Sequence, residues 1–373
     1  MKYNNNLAKI DKNFAVESFT ENGETFYDAS KPPFDVYGMY YSESDGDFRK
    51  FPTEVGAKMN LGFKVTADNT TGGRIRFKTN SPYLMFKVEE RIAEGGVLPK
   101  MPLFNLYGIS VYSNGKYVAQ VAPEFTDLNF EQNKVSFERK IEFGVIDQAQ
   151  DHQVKLFMPL YGGVKKLYIG VKQGCFVECG EKYTHTTPIV FYGNSITQGG
   201  CASRPGCDLV ARLSEMLDSD VFNVSASGSC RAEQFTCEYL ASLNPSIYVL
   251  DYDHNAPDVN HLKNTHYNLY KTVRSAHPDT PIVMLSKTNP QRYVDGTERK
   301  AVIKATYEKG VADGDKNVYF VDGETLLPKD DLENCTVDGC HLNDYGFYHM
   351  AKNLYPLLKS ILEKSDENIT SKN

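Results

Sequence analysis

The chain contains no tryptophan, no Cys-x-x-C pair, and no apolar run approaching the roughly 20 residues of a membrane-crossing helix. It also lacks an excess of positive charge: 41 Lys and Arg stand against 48 Asp and Glu, a net charge of -7. Each absence excludes something. Zinc ribbons and thiol redox motifs need closely paired cysteines, whereas Cys175, Cys179, Cys201, Cys207, Cys230, Cys237, Cys335 and Cys340 are scattered. In a chain with a sizeable core such cysteines are expected to be reduced thiols. A negative balance does not suit nucleic acid or an anionic membrane surface, so neither is expected as a partner. The opening MKYNNNLAKIDKNF has no apolar core of the kind a secretory leader needs, so the expected compartment is the cytoplasm.

What is present is an ordinary globular composition, with 41% hydrophobic and 24% charged residues over 373 positions, long enough for two domains. The first half alternates with a period of two. Arg74–Lys78 and Met85–Glu89 each place apolar residues on one face, as half-buried strands do. Ile109–Ser113, then Asn114-Gly115, then Lys116–Gln120 predicts a hairpin closed by a type I′ turn, which needs positive φ at both central residues. Lys134–Phe143, Val154–Leu160 and Lys166–Val171 read as further strands, and helical periodicity is nearly absent before residue 180. The expectation is an antiparallel, jelly-roll-like β-sandwich over residues 1–183.

The rhythm changes across Glu178–Thr187. Pro188–Tyr192 is a continuous apolar run, the pattern of a strand covered on both faces. A helix over 208–217 follows, with Leu209, Leu213, Met216 and Leu217 on one face. Strands at Val221–Val224, Ile247–Leu250, Ile282–Leu285 and Val318–Val321 alternate with helical stretches, and a last helix runs from Asp344 to about Lys364, before a polar tail. Five alternations predict an α/β/α domain with a five-stranded parallel sheet over residues 184–373.

In such sheets sites gather beyond the carboxyl ends of the strands. Ser195, in FYGNSITQGG, follows the first strand of this unit. By itself it reads as a helix N-cap serine. A nucleophilic serine needs a base, and a base needs an orienting group. Thr336–Asn343 supplies both after the last strand: Asp338 and His341, three residues apart, so that the carboxylate can accept from one imidazole nitrogen while the other faces Ser195. An oxyanion also needs donors. Gly228 follows the second strand and could offer its N–H; Asn255 follows the third and could offer its amide. Singly these are a loop glycine and a turn asparagine. Together they occupy the ends of strands one, two, three and five.

Gly193-Asn194-Ser195, Gly228, Asn255 and Asp338-x-x-His341 resemble the blocks of the SGNH, or GDSL-type, hydrolases in their usual order. The resemblance covers about half the chain, from residue 187 onward. YDHNAP and DGCHLN are especially similar to a bacterial subgroup with an N-terminal β-sandwich carrying a Gly-x-Asp-Leu-Tyr-like element, of which Phe34–Gly38 and Leu160–Val164 look like landmarks. The resemblance implies Ser195 as nucleophile, His341 as base and Asp338 as its orienter. It implies an oxyanion hole from the Ser195 N–H, the Gly228 N–H and the Asn255 amide. The family usually has aspartate where this chain has Asn194, a departure that concerns loop electrostatics more than the reaction.

Other candidates have plainer readings. His254, His261 and His266 lack the i, i+4 pairing of helical zinc ligands and read as solvated or structural. Asp251 and Asp253 read as strand-end carboxylates fixing the loop of Asn255, Cys340 as buried filler, and the 24 tyrosines as core. No metal or organic cofactor is expected. The function expected is a serine esterase removing short acyl groups, acetyl above all, from oligosaccharides. The loops Ser203–Pro205 and Ser229–Arg231 are polar and basic, and no greasy lid stands out. The alternatives are a catalytically inactive carbohydrate-binding protein and an esterase for longer acyl or lipid esters. A homo-oligomer is left open.

Overall fold

The computed structural model describes residues 18–93, 96–144 and 146–370; the N-terminal stretch read for a leader and the last three residues of the polar tail lie outside them. The first half is a sandwich of two antiparallel sheets. One has the order β1 (Ser18–Glu21), β2 (Glu24–Asp28), β13 (Gly163–Lys172), β7 (Tyr83–Arg91), β11 (Lys134–Glu142), β10 (Leu128–Asn129). The other runs β14 (Val177–Cys179), β6 (Arg74–Thr79), β12 (His152–Phe157), β8 (Ile109–Ser113), β9 (Lys116–Val121), with β3 (Asp35–Tyr37) also paired to β6. A small hairpin of β4 (Tyr40–Ser42) and β5 (Asp47–Arg49) stands outside both. Phe77 and Leu156 of one sheet share a core with Phe86 and Ile169 of the other. β7 alternates buried and half-buried residues along its length, as its sequence predicts. Asn114 and Gly115 take φ of 48° and 78° and join β8 to β9 with Ser113 opposite Lys116, the primed turn expected of Asn-Gly.

β6 departs from the half-buried reading. Arg74 and Arg76 are buried along with Ile75 and Phe77, because the polar face of the strand lies against the second half. There Arg74 pairs with Asp220, donates to the Val221 carbonyl at 3.0 Å and to the Tyr183 hydroxyl at 3.2 Å. A guanidinium can be buried only with such partners.

Three short helices, α1 (Thr53–Lys58), α2 (Leu61–Thr66) and α3 (Leu103–Tyr107), carry no periodic signal because none completes two turns. They tie the halves together. Phe51, Phe63 and Ala67 belong to one apolar cluster with Val190, Tyr192, Tyr248 and Leu250, and the Phe63 ring lies parallel to that of Tyr192.

The second half is built on β15 (His185–Gly193), β16 (Ser219–Asn223), β17 (Ile247–Asp251), β18 (Ile282–Leu285) and β19 (Val318–Val321), in the order β16-β15-β17-β18-β19, every pairing parallel. Helices α4 (Ser195–Gln198), α5 (Leu209–Leu217), α6 (Gln234–Ser242), α7 (Val259–Ala276), α8 (Gly296–Ala312) and α9 (Asp344–Thr370) complete it. The apolar run of β15 is continuous because both faces are covered. Ile189 and Phe191 pack with Leu209 and Leu213 of α5 and Leu354 and Leu358 of α9. Val190 and Tyr192 pack with Leu240 of α6, Leu262 and Leu269 of α7, and Ile303 of α8. Each such side chain removed from water is worth about 1.5–3 kcal/mol.

Two details differ from the sequence pattern. Met216 is 41% exposed, since it sits at the edge of the stripe formed by Leu209, Leu213 and Leu217. α9 continues through residues 365–370, where the sequence suggests a frayed tail. Among the described residues no helix is long and apolar enough to cross a membrane.

Candidate active site

A parallel sheet brings every strand's carboxyl end to one edge, and β16, β15 and β17 are neighbours there. β15 stops at Gly193, where a Cβ would fall 2.2 Å from Thr197 Oγ1 and 2.9 Å from the Asp251 carbonyl oxygen; no other residue fits. Asn194 is the N-cap: its Oδ1 accepts from the Ile196 N–H at 2.7 Å. Ser195 is therefore the first helical residue rather than the cap. Its N–H has no acceptor among the described residues, as befits the first turn of a helix.

Ser195 Oγ lies 2.8 Å from His341 Nε2, and His341 Nδ1 lies 2.9 Å from Asp338 Oδ2. These distances suit an Nδ1–H donating to the carboxylate and an Nε2 accepting from the serine hydroxyl. A tight loop makes the pair possible: the Val337 N–H donates to the His341 carbonyl at 2.8 Å, and Thr336 and Leu342 form an antiparallel bridge. Asp338 Oδ1 accepts from the main-chain N–H groups of His341 and Cys340, at 2.8 and 3.0 Å. Oδ2 also takes the ammonium of Lys100. Partial burial by itself would raise the Asp338 carboxyl. The hydrogen bonds from Lys100, the His341 N–H and imidazole, and the Cys340 N–H outweigh it and hold the group well below the usual carboxylate range.

The loop after β16 curls over this edge. Gly228 takes φ +68°, with open space where a Cβ would stand, and its N–H has no acceptor among the described residues. The Ser227 N–H donates to Gln198 Oε1 at 2.8 Å. Cys230 fixes the loop twice: its thiol donates to the Gly193 carbonyl and its N–H, at 3.1 Å, to Asn255 Oδ1. With Oδ1 so held, the Asn255 Nδ2 is left as a donor. Asn255 closes the short 3-10 turn Asp253–Asn255 after β17.

Sequence reasoning singled out Asp251 and Asp253 as supports of the Asn255 loop but missed the partners they hold. Asp251 Oδ2 accepts from Thr197 Oγ1 at 2.7 Å and so ties the turn that carries Ser195 to the end of β17. Burial pushes its carboxyl up to about 7. Asp253 accepts from the Lys287 N–H at 3.3 Å and faces the Lys287 ammonium at 3.9 Å. Thr197 and Gln198 stood in plain view in SITQGG. The contributions of the sandwich gave no such signal. Asn105 Nδ2 donates to the carbonyls of Gly199 and Ala202 at 3.0 and 2.8 Å. Lys50 Nζ donates to the Ser225 carbonyl, Asn60 Nδ2 to that of Ser229, and Tyr161 meets Ser227 Oγ at 2.7 Å.

Other residues singled out by sequence lie elsewhere. Arg204 points to the sandwich, 2.9 Å from the Tyr112 hydroxyl and over the Tyr117 ring, while Ser203 is bound to Asp344. The 203–205 loop thus serves the contact between halves. His261 Nε2 is 2.8 Å from the Arg231 carbonyl and His266 Nδ1 is 2.9 Å from Thr306 Oγ1. Cys340 is half-buried rather than core filler, because its loop lies at the surface; its Sγ is 3.9 Å from His254 Nδ1. A cavity of about 1310 Å³ opens between the halves, lined among others by Asn60, Leu61, Phe130, Tyr161, Ser227 and Arg231. It reaches the Gly228 loop but not Ser195 or His341 themselves.

Residues 186–359 match the model of the GDSL-like lipase/acylhydrolase family, and residues 24–177 match GxDLY, the N-terminus of SGNH hydro-type esterases. The second half of the chain belongs to the GDSL-like lipase/acylhydrolase family. It is a carboxylic ester hydrolase. A crystal structure of a putative GDSL-like lipase from Bacteroides ovatus is 27% identical, covering 91% of this chain and 98% of that one, with a TM-score of 0.77. A salicylyl-acyltransferase from a tetracycline biosynthetic pathway, 18% identical, covers 90% and 96% with a TM-score of 0.73. A family two carbohydrate esterase from Clostridium thermocellum in complex with cellohexaose, 12% identical, covers 88% and 99% with a TM-score of 0.59. The last two share the fold. A comparison with curated protein sequences finds no match.

Proposed function

We propose that this hydrolase removes short acyl groups, acetyl above all, from hydroxyls of oligosaccharides by way of a covalent acyl-serine. The observation that carries the reading is the chain of contacts from Ser195 Oγ to His341 Nε2 and from His341 Nδ1 to Asp338. His341 takes the Ser195 proton as Oγ attacks the ester carbon. The oxyanion is met by the Ser195 and Gly228 N–H groups and Asn255 Nδ2, none of which has another acceptor among the described residues. His341 then protonates the leaving alcohol. A water, deprotonated by His341, attacks the acyl-serine, and collapse releases the acid. Asp338 stays ionised throughout and holds the imidazole in its working tautomer.

In this reading residues 184–373 are the catalytic domain and residues 1–183 an accessory domain that braces it. The alcohol portion lies along the cavity between them, where Asn60, Asn69, Tyr161 and Arg231 offer polar groups. That a Clostridium thermocellum esterase of the same fold forms a complex with cellohexaose supports a sugar as the alcohol. A second reading has its own observation. Leu61 and Phe130 on the cavity wall are 73% and 58% exposed, which would suit a longer acyl chain. Hydrolysis rates on one aryl leaving group, with acyl chains from two to ten carbons, separate the two. The proposal expects the maximum at two carbons and release of acetate from acetylated oligosaccharides; a maximum at eight or ten carbons favours the second reading.

A further inference from the structure

Lys100 lies in the segment that leaves β7 for α3, 238 positions before the carboxylate it touches. Asp338 has four donors. His341 and Cys340 main-chain N–H groups occupy Oδ1, and the His341 imidazole and the Lys100 ammonium share Oδ2. Three of those donors come from the loop that carries Asp338. Only Lys100 comes from the sandwich.

We infer that Lys100 is a positioning residue of the hydrolase site: through Asp338 it fixes the imidazole of His341 and opposes that ring's protonation. The inference rests on the reading of Asp338 as the orienter of His341. Two consequences follow from the shared oxygen. The ammonium holds Oδ2 in place from outside the loop, so the sandwich takes part in aiming the base. It also offsets part of the carboxylate's negative charge, so an imidazolium at His341 is less stabilised than it would be beside an unpaired Asp338.

Other charged or titratable groups face this ring and must be held constant. Cys340 adjoins it on the same loop. His254, from the turn after β17, is held well below the usual histidine range by burial, with help from Lys287 and His341. Tyr293 and Lys287 stand behind Cys340, Arg292 covers Gly339, and Cys201 approaches Asp338 from the nucleophile side. None of them donates to Asp338 Oδ2.

The test is the acid limb of kcat/KM against pH, measured on the full chain at low salt for wild type, Lys100→Gln and Lys100→Arg. Lys100 is 53% exposed along its side chain, so Lys100→Gln should fold as wild type, checked by thermal unfolding. The limb of Lys100→Gln is expected to move to higher pH by about 0.3–1 unit, an effect sized for one partly solvated charge. Lys100→Arg should restore the wild-type limb. Raising ionic strength should carry the wild-type limb toward that of Lys100→Gln, since an exposed charge is screened. In an Asp338→Asn background, Lys100→Gln should change the residual rate less than twofold. A limb that does not move, or a rate that falls equally at every pH, overturns the inference and assigns Lys100 a structural role. If instead Asp338→Asn alone behaves as wild type, the orienter reading itself has failed, and the two failures are told apart by that variant.

Discussion

The amide of Asn194 donates to the main-chain carbonyl of Asp251 at 2.7 Å, while its own carbonyl caps the helix that begins at Ser195. An aspartate could do only the second. This explains why the chain departs from the family's usual aspartate: a buried carboxylate already stands next door, at Asp251. Asn194→Asp would set an oxygen against the Asp251 carbonyl and a second buried charge beside its carboxylate. We expect Asn194→Asp to unfold several degrees lower than wild type at pH 8, with a smaller deficit at pH 5 where one carboxyl keeps its proton. Equal unfolding temperatures at pH 8 would refute this account of the turn.

Asp251 itself makes stability depend on pH. Its folded-state value, pushed up to about 7 by burial, lies above that of the unfolded chain, so the folded state holds the extra proton. The sign follows: its contribution is full below about pH 4 and is lost as pH rises toward 7. Asp253, raised to about 6, adds to the same fall. Asp147 opposes it at lower pH. Although burial alone would raise its carboxyl, hydrogen bonds from Ser113 and His152 bring it down to about 2, so its stabilisation is lost as pH falls below about 4. Asp251→Asn should therefore flatten the decline in unfolding temperature between pH 4 and 7. A slope identical to wild type would mean that Asp251 carries no proton in the folded chain.

The oxyanion assignment turns on a side-chain orientation. Cys230 N–H occupies Asn255 Oδ1, which leaves Nδ2 as the outward donor. Asn255→Ala should lower kcat by about 100- to 1,000-fold with KM changed far less. A change confined to KM would make Asn255 a substrate-binding residue and require another donor for the oxyanion.

What the sequence disclosed and what it hid divide along a physical line. The parallel sheet was legible because Pro188–Tyr192 and its counterparts are apolar on both faces, and the triad candidates because each follows a strand end. The hairpin at Asn114-Gly115 was legible because those two residues favour positive φ. Hidden were the contacts that depend on how the halves meet. Arg74 looked like a solvent-facing strand residue until Asp220 covered it. α1 and α2 are too short for a period, yet they bring Phe63 onto Tyr192. Lys100, Asn60, Asn105 and Tyr161 reach the site loops from the sandwich with no local pattern to announce it.

The central claim is that Ser195 is the nucleophile, and one measurement addresses it directly. The full-length protein is incubated with a serine-directed organophosphonate, its intact mass is recorded, and the labelled peptide is mapped. The account predicts a single adduct on Ser195, loss of ester hydrolysis in step with labelling, and no adduct on Ser195→Ala, whose unfolding temperature should match wild type because Asn194 still caps the helix. An unlabelled protein that hydrolyses esters, or an adduct on another residue that accounts for the lost activity, would contradict it.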